Sequence, residues 1–181
     1  MGFVCDSLVP HPARMAPPVR AFAAAASWAA GRPLALCFRL EAPLENLTLP
    51  AGSGGRADRL WEHTCFEAFL APVGAARYLE INLAPSGAWA AYAFSSYRKP
   101  ARPKNAAVTV DLDVRFEEGV VELEAVVGID SWLRSPPDEL AVGLAAVLED
   151  ASGHHTYWAL EHGGAQPDFH DDRSFVLHLV R

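Results

Sequence analysis

The chain has 181 residues, about half of them apolar and a fifth charged, which suits a globular protein with a sizeable core. Its formal net charge of −7 comes without any cluster of Arg and Lys side chains. Nucleic acid and anionic membranes are therefore excluded as expected partners, since both require clustered positive charge.

The three cysteines, Cys5, Cys37 and Cys65, form no CxxC pair and are odd in number. This pattern favours free thiols in a reducing compartment over a disulfide framework or a zinc site. The longest apolar stretch, residues 21–30, is too short for a membrane span and begins too late for a signal peptide. We therefore expect a cytoplasmic protein.

Residues 1–18 contain several prolines and are interpreted as an irregular N-terminal arm, and residues 19–181 as a single β-sandwich domain. Within that domain, residues 19–28 and 34–42 flank a Gly-Arg-Pro turn and are predicted to form an antiparallel hairpin. The alanine-rich first strand has helical propensity, which the hairpin interpretation overrides. Residues 50–59 have the composition of a flexible loop.

From residue 64 onward, turn sequences separate short segments as in an all-β protein. The period-two alternation of residues 108–116 and 120–127 is typical of half-buried strands. Only residues 131–139 suggest a short helical turn or an irregular crossover. Strands are predicted at 64–71, 77–84, 88–95, 107–116, 120–128, 141–149, 154–161 and 173–180. We predict an all-β fold: an antiparallel two-sheet β-sandwich, jelly-roll-like, with one short helical turn.

The run 60–98 concentrates aromatic rings, carboxylates and amides in three short strands. Strand alternation places Tyr78, Glu80 and Asn82 on one face, and pairing with the preceding strand adds Glu67 to it. Such a face suits a sugar, whose C–H groups stack on rings while its hydroxyls form hydrogen bonds. A solvated strand surface without a function is the other interpretation of the same residues.

A second polar cluster occupies the loop that Gly163, Gly164 and Pro167 interrupt near the end of the chain. His and Asp side chains there suggest a metal site, although their spacing matches no known metal motif. This leaves open a metal-dependent, hydrolase-type enzyme built from two groups, Glu67 with Glu80 and His162 with His170 and Asp171. A third possibility is a protein-interaction module that docks through an exposed aromatic sheet face containing Trp89 and Tyr92.

Four segments in a fixed order carry a family resemblance: LWEHTCFEAFL (60–70), YLEINLAPSGAWAAY (78–92), YWALEH (157–162) and PDFHDDRSFVLHL (167–179). Together they resemble the DOMON-like proteins of bacteria, which are related to the family 9 carbohydrate-binding modules. The resemblance extends from about residue 34 to the end of the chain. It implies a jelly-roll-like β-sandwich with a ligand site on one sheet near the end of the sandwich, and no chemistry of its own.

The resemblance also assigns positions within the site. Trp61 and Glu67 stand where the sugar-binding modules have a stacking tryptophan and a hydrogen-bonding glutamate. Phe169 takes the place of the second stacking tryptophan, and Gln166 that of a hydrogen-bonding asparagine.

Two polar positions differ from the family pattern. Glu80 stands where an arginine would contact the sugar, and Val147 where a glutamine would. The axial Met–His pair of haem-binding DOMON proteins has no counterpart, since Met1 and Met15 both precede the sandwich.

From the residues and the resemblance together we predict a non-catalytic module that binds a carbohydrate or a similar polar molecule. Trp61 and Phe169 would bracket the ligand, and Glu67, Glu80, Gln166 and Arg98 would contact its polar groups. No cofactor is expected. A calcium ion bracing the loops and the oligomeric state are left open by the sequence.

Overall fold

Strands form most of the protein in the computed structural model, which describes residues 4–29, 31–133, 135 and 137–180. The strands are β1 (Val4–Ser7), β2 (Val9–Pro10), β3 (Ala21–Ser27), β4 (Leu34–Glu41), β5 (Gly55–Arg56), β6 (Cys65–Pro72), β7 (Tyr78–Leu83), β8 (Ala88–Ser96), β9 (Lys99–Asn105), β10 (Thr109–Glu117), β11 (Val120–Gly128), β12 (Glu139–Glu149), β13 (His155–Ala159) and β14 (Leu177–Val180). One helix, α1 (Asp130–Leu133), and 3₁₀ turns at Leu44–Asn46, Leu60–Glu62 and Asp172–Ser174 complete the described elements.

Two sheets form a sandwich. The smaller sheet has the strand order β1-β3-β4-β11-β10, and the larger has the order β2-β13-β12-β6-β7-β8-β5. In the larger sheet, β14 also pairs with β12, and β9 pairs with β8. Within the described residues, every pairing is antiparallel except that of β5 with β8.

The main core lies between the sheets and is built from alternate apolar side chains of their facing strands. Phe38 of β4 and Phe66 of β6 are completely buried, with ring centroids 5.6 Å apart. Phe22 of β3 lies 5.7 Å from the same Phe66 ring, nearly perpendicular to it. These contacts join the two sheets through apolar burial, the dominant favourable contribution to folding.

The outer face of the larger sheet is buried as well, which strand alternation alone does not predict. Residues 161–176, called here the covering segment, bring Phe169 and Phe175 onto Phe69 of β6, at ring distances of 6.4 and 5.8 Å. Phe175 can approach because Gly143 of β12 has no side chain, and a Cβ there would lie 2.8 Å from the ring. Side chains on this face therefore lie in a second interior rather than in water.

The predicted fold class is confirmed, and so is the hairpin of β3 with β4. The two alternating segments 108–116 and 120–127 are also strands, and they pair with each other as β10 and β11. The short helical turn is present as α1, while residues 134 and 136 of the predicted 131–139 segment lie outside the described residues. Propensity favoured a helix at the alanine-rich stretch, but pairing on both sides of β3 stabilises a strand there instead.

Three predictions about elements need correction. Residues 4–10 of the proposed irregular arm form β1 and β2, because each finds a strand edge to pair with. The strand β9 went unrecognised because it contains two prolines, which β9 accommodates as the outermost neighbour of β8 through an irregular register. The last strand is shorter than predicted, since residues 172–174 form a 3₁₀ turn before it.

All three cysteines are free thiols: Cys65 is buried, Cys37 is half-buried and Cys5 is exposed. No helix among the described residues is long and apolar enough to cross a membrane.

Candidate functional site

A concave cavity of about 340 Å³ opens on the outer face of the larger sheet. Its floor is the sheet itself, and its walls are the 3₁₀ turn at residues 60–62 and the covering segment. The volume is within the range of small-molecule sites in proteins. Aromatic rings line much of it: Trp61, Phe69, Tyr92, Phe94, Tyr157 and Phe169.

Trp61 lies at the rim, where the 3₁₀ turn Leu60–Glu62 presents its ring to the cavity. The ring is 36% exposed and meets Tyr92 edge-on at 5.7 Å. Tyr92 in turn donates a hydrogen bond from its hydroxyl to Asp58 Oδ1 at 2.6 Å, which ties the preceding loop to the sheet. A large, partly exposed ring is thereby fixed at the mouth of the cavity.

Phe169 is in a different situation from Trp61, although both line the cavity. It is 8% exposed and packs against Phe69 at 6.4 Å and Tyr157 at 6.0 Å. Most of its surface is therefore committed to holding the covering segment on the sheet.

Two carboxyl groups lie on the floor of the cavity. Glu67 of β6 and Glu80 of β7 are 4% and 5% exposed. In the β6–β7 register Glu67 faces Asn82 and Glu80 faces Phe69, so the two glutamates are diagonal neighbours on one face. This confirms the predicted common face and overturns the interpretation of these positions as solvated surface.

The surroundings of the two carboxyl groups differ. Asn82 Nδ2 donates a hydrogen bond to Glu80 Oε1 at 2.6 Å. Glu67 Oε1 is buried and has no hydrogen-bond partner within the described part of the chain. Loss of solvation, and secondly the charge of Glu80, raise the pKa of Glu67 well above its ordinary value. An unpartnered buried acceptor is costly in a folded protein, so a molecule that donates a hydrogen bond to this oxygen would be favoured in the cavity.

A hydrogen-bonded chain runs from the backbone to the imidazole above the floor. The Arg98 backbone N–H donates to the Tyr78 oxygen at 3.0 Å, and the Tyr78 hydroxyl shares a hydrogen bond of 2.7 Å with His170 Nδ1. The other ring nitrogen, Nε2, lies 3.7 Å from Glu80 Oε2.

Burial determines the protonation states of Tyr78 and His170 near neutral pH. Desolvation, followed by the charge of Arg98, lowers the pKa of His170 to about 4, so the ring is uncharged. Desolvation raises the pKa of Tyr78 to about 12. The imidazole therefore acts as a polar wall of the cavity and brings no positive charge to the glutamates.

Arg98 is held by an ion pair at the edge of the cavity. Its Nη2 lies 2.7 Å from Asp168 Oδ1, and the Tyr97 hydroxyl donates to Asp168 Oδ2 at 2.5 Å. Burial opposes ionisation of Asp168, but the hydrogen bonds from Tyr97 and Arg98 lower its pKa. The His170 backbone N–H also donates to Asp168, which orients the imidazole.

Five of the six residues predicted to bind a ligand line this cavity: Trp61, Glu67, Glu80, Arg98 and Phe169. Gln166 is exposed and lies outside the lining. Val147, which the resemblance placed at a polar position of the site, is part of the wall.

Sequence reasoning did not assign the site residues Tyr92, Tyr157 and Asp168. Alternation along β8 does put Tyr92 on the face opposite Trp89, and its pairing with Glu80 places it beside the carboxyl groups. Tyr157 and Asp168 gave no comparable signal, since their positions depend on strand order and on the path of the covering segment.

The residues of the metal-enzyme alternative are not brought together. The Nε2–H of His162 donates to the Val9 carbonyl at 2.9 Å, and Asp171 forms an ion pair with Arg173. Of that loop set, only His170 lines the cavity with the glutamates. No group of three or more His, Cys, Asp or Glu side chains in the described ranges is arranged to hold a metal ion.

The predicted exposed aromatic sheet face is also wrong. Tyr92 is 2% exposed, and Trp89 is half-buried and packs against the main core. The covering segment and the 3₁₀ turn at residues 60–62 make the face with Tyr92 a concave interior, while Trp89 lies on the opposite face, toward the main core.

Fold and cavity together define a β-sandwich protein with a small-molecule-sized site on the outer face of its larger sheet. The same fold occurs in a candidate carbohydrate-binding protein of Bacteroides uniformis, at a TM-score of 0.69 and 17% identity over 98% of this chain and 86% of that one. It also occurs in a family 9 carbohydrate-binding module of Caldicellulosiruptor kristjanssonii.

That module has been solved with glucose and with cellotriose, and both structures share 8% identity with this chain and cover 92% of it. The glucose complex has a TM-score of 0.62 with 78% of its own chain covered, and the cellotriose complex 0.63 with 76%. No protein-family model and no curated protein matches the chain. The predicted relation to the family 9 modules is thus confirmed at the level of the fold, and the DOMON-like resemblance stays a prediction.

Proposed function

We propose that the protein is a non-catalytic binding module that holds a carbohydrate or a similar polar small molecule in the outer-face cavity. The observation that carries the proposal is one cavity that combines a partly exposed indole at its rim with two buried carboxyl groups in its floor. Sugars need both kinds of surface, because their rings have apolar C–H faces and a polar circumference.

Structural likeness supports the same class of ligand. Two of the similar structures are complexes of a carbohydrate-binding module, one with glucose and one with cellotriose. Those sugars are ligands of that module. For this chain they support a carbohydrate as the class of ligand. The polar positions that differ from the family pattern, Glu80 and Val147, support a different sugar or a different pose.

Individual roles follow from chemistry and position. Trp61 stacks on the ring of the ligand, with Phe169 closing the opposite wall. Glu67 and Glu80 accept hydrogen bonds from ligand groups at the floor, and Arg98 donates at the edge. Gln166 would contact only a ligand that extends beyond the cavity.

The first experiment is a thermal-shift screen of the purified protein against monosaccharides, disaccharides, sugar phosphates and divalent metals including calcium. A ligand that binds the native state raises the melting temperature by mass action, so the screen requires no prior choice of ligand. A sugar that raises it is then titrated by calorimetry into the wild type, Trp61→Ala and Glu67→Ala.

We expect both substitutions to weaken binding by about tenfold or more, since each removes a central contact. The matched control is Phe116→Ala, which removes an exposed ring from the edge of the smaller sheet. Unchanged affinity in both site variants would show that the site lies elsewhere, and a response to metals alone would contradict the proposal.

A further inference from the structure

Two histidine side chains join the N-terminal residues to the covering segment. His11 Nε2 donates a hydrogen bond to the Gly164 carbonyl at 3.1 Å. In the opposite direction, His162 Nε2 donates to the Val9 carbonyl at 2.9 Å. The two rings also meet edge-on, with their centroids 4.6 Å apart. These four residues are called here the histidine pair and its two backbone partners.

Backbone partners determine which nitrogen of His11 carries the proton. The Ala13 N–H can only donate, and it donates to His11 Nδ1 at 3.1 Å, so Nδ1 is an acceptor. Nε2 therefore carries the proton that the Gly164 carbonyl accepts. His11 is 1% exposed, and both of its ring nitrogens have partners, as buried polar groups require.

The N-terminal side of the histidine pair is fixed to the larger sheet. Val9 and Pro10 of β2 pair with β13, and the His11 backbone N–H donates to the Tyr157 carbonyl at 2.7 Å. The Tyr157 ring lines the cavity and lies 6.0 Å from the ring of Phe169. The histidine pair therefore attaches the covering segment to the edge of the same sheet that forms the cavity floor.

The other side of the histidine pair lies next to the cavity wall. Residues 167–170 of the covering segment line the cavity and follow Gly164 closely in the chain. Gly163 also lies against the carboxylate of Asp171, since a Cβ at Gly163 would be 2.5 Å from Asp171 Oδ2. A displacement of the segment at Gly163 and Gly164 would therefore also displace the residues that form the wall.

We propose that His11 and His162 are positioning residues of the ligand site, and that their bonds to the opposite backbone hold the covering segment where it completes the cavity. The N-terminal residues thereby belong to the site, although none of the described residues 9–13 is part of the cavity lining. The effect on ligand affinity rests on the proposed function, whereas the effect on the segment does not.

Two substitutions at each histidine test the hydrogen bonds. His11→Leu and His162→Leu remove the N–H donor and leave an apolar side chain. His11→Gln and His162→Gln keep a side-chain N–H donor for the same carbonyl. Since the two positions are tested separately, the result does not depend on the folding of one variant. His178→Leu is the matched control, because His178 is an exposed histidine that bonds to Glu139 outside the cavity lining.

Hydrogen exchange of the ligand-free protein measures the effect on the covering segment. The backbone N–H groups of His170 and Asp171 both bond to Asp168, so their exchange reports opening of the wall. We expect each leucine variant to exchange these two amides about fivefold faster or more, which corresponds to the loss of one hydrogen bond. The glutamine variants and His178→Leu should stay close to the wild type.

Glucose, which is bound by a module of similar fold, is the probe for the effect on the cavity. It is titrated by calorimetry into the wild type and into the double variant His11→Leu with His162→Leu. We expect the double variant to bind glucose about threefold more weakly or less, because fewer molecules have the wall in place before binding. The corresponding double glutamine variant should keep most of the wild-type affinity.

The outcomes separate the inference from the proposed function. Unchanged exchange at His170 and Asp171 in both leucine variants would overturn the inference. Faster exchange that is confined to β6 and β7 would also overturn it, because the histidines would then contribute to global stability without positioning the wall. Equal exchange in the leucine and glutamine variants would show that the hydrogen bonds are not the cause. If glucose does not bind to the wild type, the proposed function loses that ligand, and the exchange of the ligand-free protein still decides the positioning role.

Discussion

Glu67 and Glu80 lie diagonally across the β6–β7 ladder, and both carboxyl groups are buried on the face that points away from the main core. Loss of solvation, and secondly the charge of Glu80, disfavour the ionised form of Glu67 and raise its pKa. A buried carboxyl oxygen without a hydrogen-bond partner among the described residues, as at Glu67, costs stability, and this effect can be measured without knowing the ligand.

The first prediction concerns the effect of Glu67 on stability as pH changes. Its pKa is higher in the folded state than in the unfolded state, so above about pH 4.5 the unfolded chain loses its proton first. The contribution of Glu67 to the free energy of unfolding therefore falls as pH rises from about 4.5 towards the raised pKa of the folded state. Glu67→Gln should remove this fall and be at least as stable as the wild type at pH 7.

Urea unfolding of the wild type and Glu67→Gln at several pH values between about 4 and 8 measures the difference. The exposed Glu118→Gln variant should follow the wild-type profile. Parallel profiles for the wild type and Glu67→Gln would show that the buried carboxyl has no shifted pKa.

The second prediction concerns His170, whose effect has the opposite sign. Burial lowers its pKa from 6.5 to about 4, so the unfolded chain takes up the proton at a higher pH than the folded protein. The stability that depends on the neutral ring is complete above about pH 6.5 and is lost as pH falls towards 4. The loss should be on the order of 2 kcal/mol, because solvent reaches part of the ring.

His170→Asn should remove this acid-side loss, since the amide cannot be protonated in this range and its Oδ1 can accept the Tyr78 hydrogen bond. The charged and titratable groups around the ring are Glu80, Arg98 and Asp168, which both proteins retain. The free energy of unfolding, measured from pH 4 to 7, should show a smaller slope in the variant. An equal slope would contradict the assignment of a neutral, buried imidazole.

The third prediction tests the hydrogen-bonded chain through Tyr78. Tyr78→Phe removes one oxygen and leaves His170 Nδ1 and the Arg98 N–H without their partner. We expect a loss of about 1–3 kcal/mol in the free energy of unfolding, typical of buried groups left unsatisfied. The matched control is Tyr97→Phe, whose ring is 60% exposed and whose hydroxyl bonds to Asp168 at the surface. Equal losses of stability in the two variants would show that burial of the Tyr78 hydrogen bonds does not increase their contribution to stability.

The fourth prediction concerns the contact between Gly143 and Phe175. A Cβ at position 143 would lie 2.8 Å from the Phe175 ring, so Gly143→Ala must displace the ring. We expect a loss of about 1–3 kcal/mol, as for other overpacked interiors, and weaker ligand binding because the covering segment shifts.

The double variant Gly143→Ala with Phe175→Leu tests the cause. If the clash causes the loss, the two substitutions should be non-additive, and the double variant should be more stable than the sum of the single effects indicates. Additive effects would mean that the ring can move without cost.

Much of the fold could be read from the chain because the relevant forces act locally. The alternation in residues 108–116 and 120–127 fixes which side chains face a core, and the hairpin turn between them fixes their pairing. The same argument placed Glu67, Glu80, Tyr78 and Asn82 on one face, as the β6–β7 register confirms. The N-terminal strands and β9 were beyond such reasoning, since each depends on an edge formed by distant residues.

The sequence by itself determined most of the strands, their faces and the residue types on the outer face of the larger sheet. Only the tertiary structure decided whether that face meets water or a cavity, because the segment that covers it lies far away in the chain. Tyr78 and His170 are separated by 92 positions yet share a hydrogen bond of 2.7 Å. Strand periodicity reports which side of a sheet a residue faces, and the burial of that side depends on long-range packing that no local pattern records.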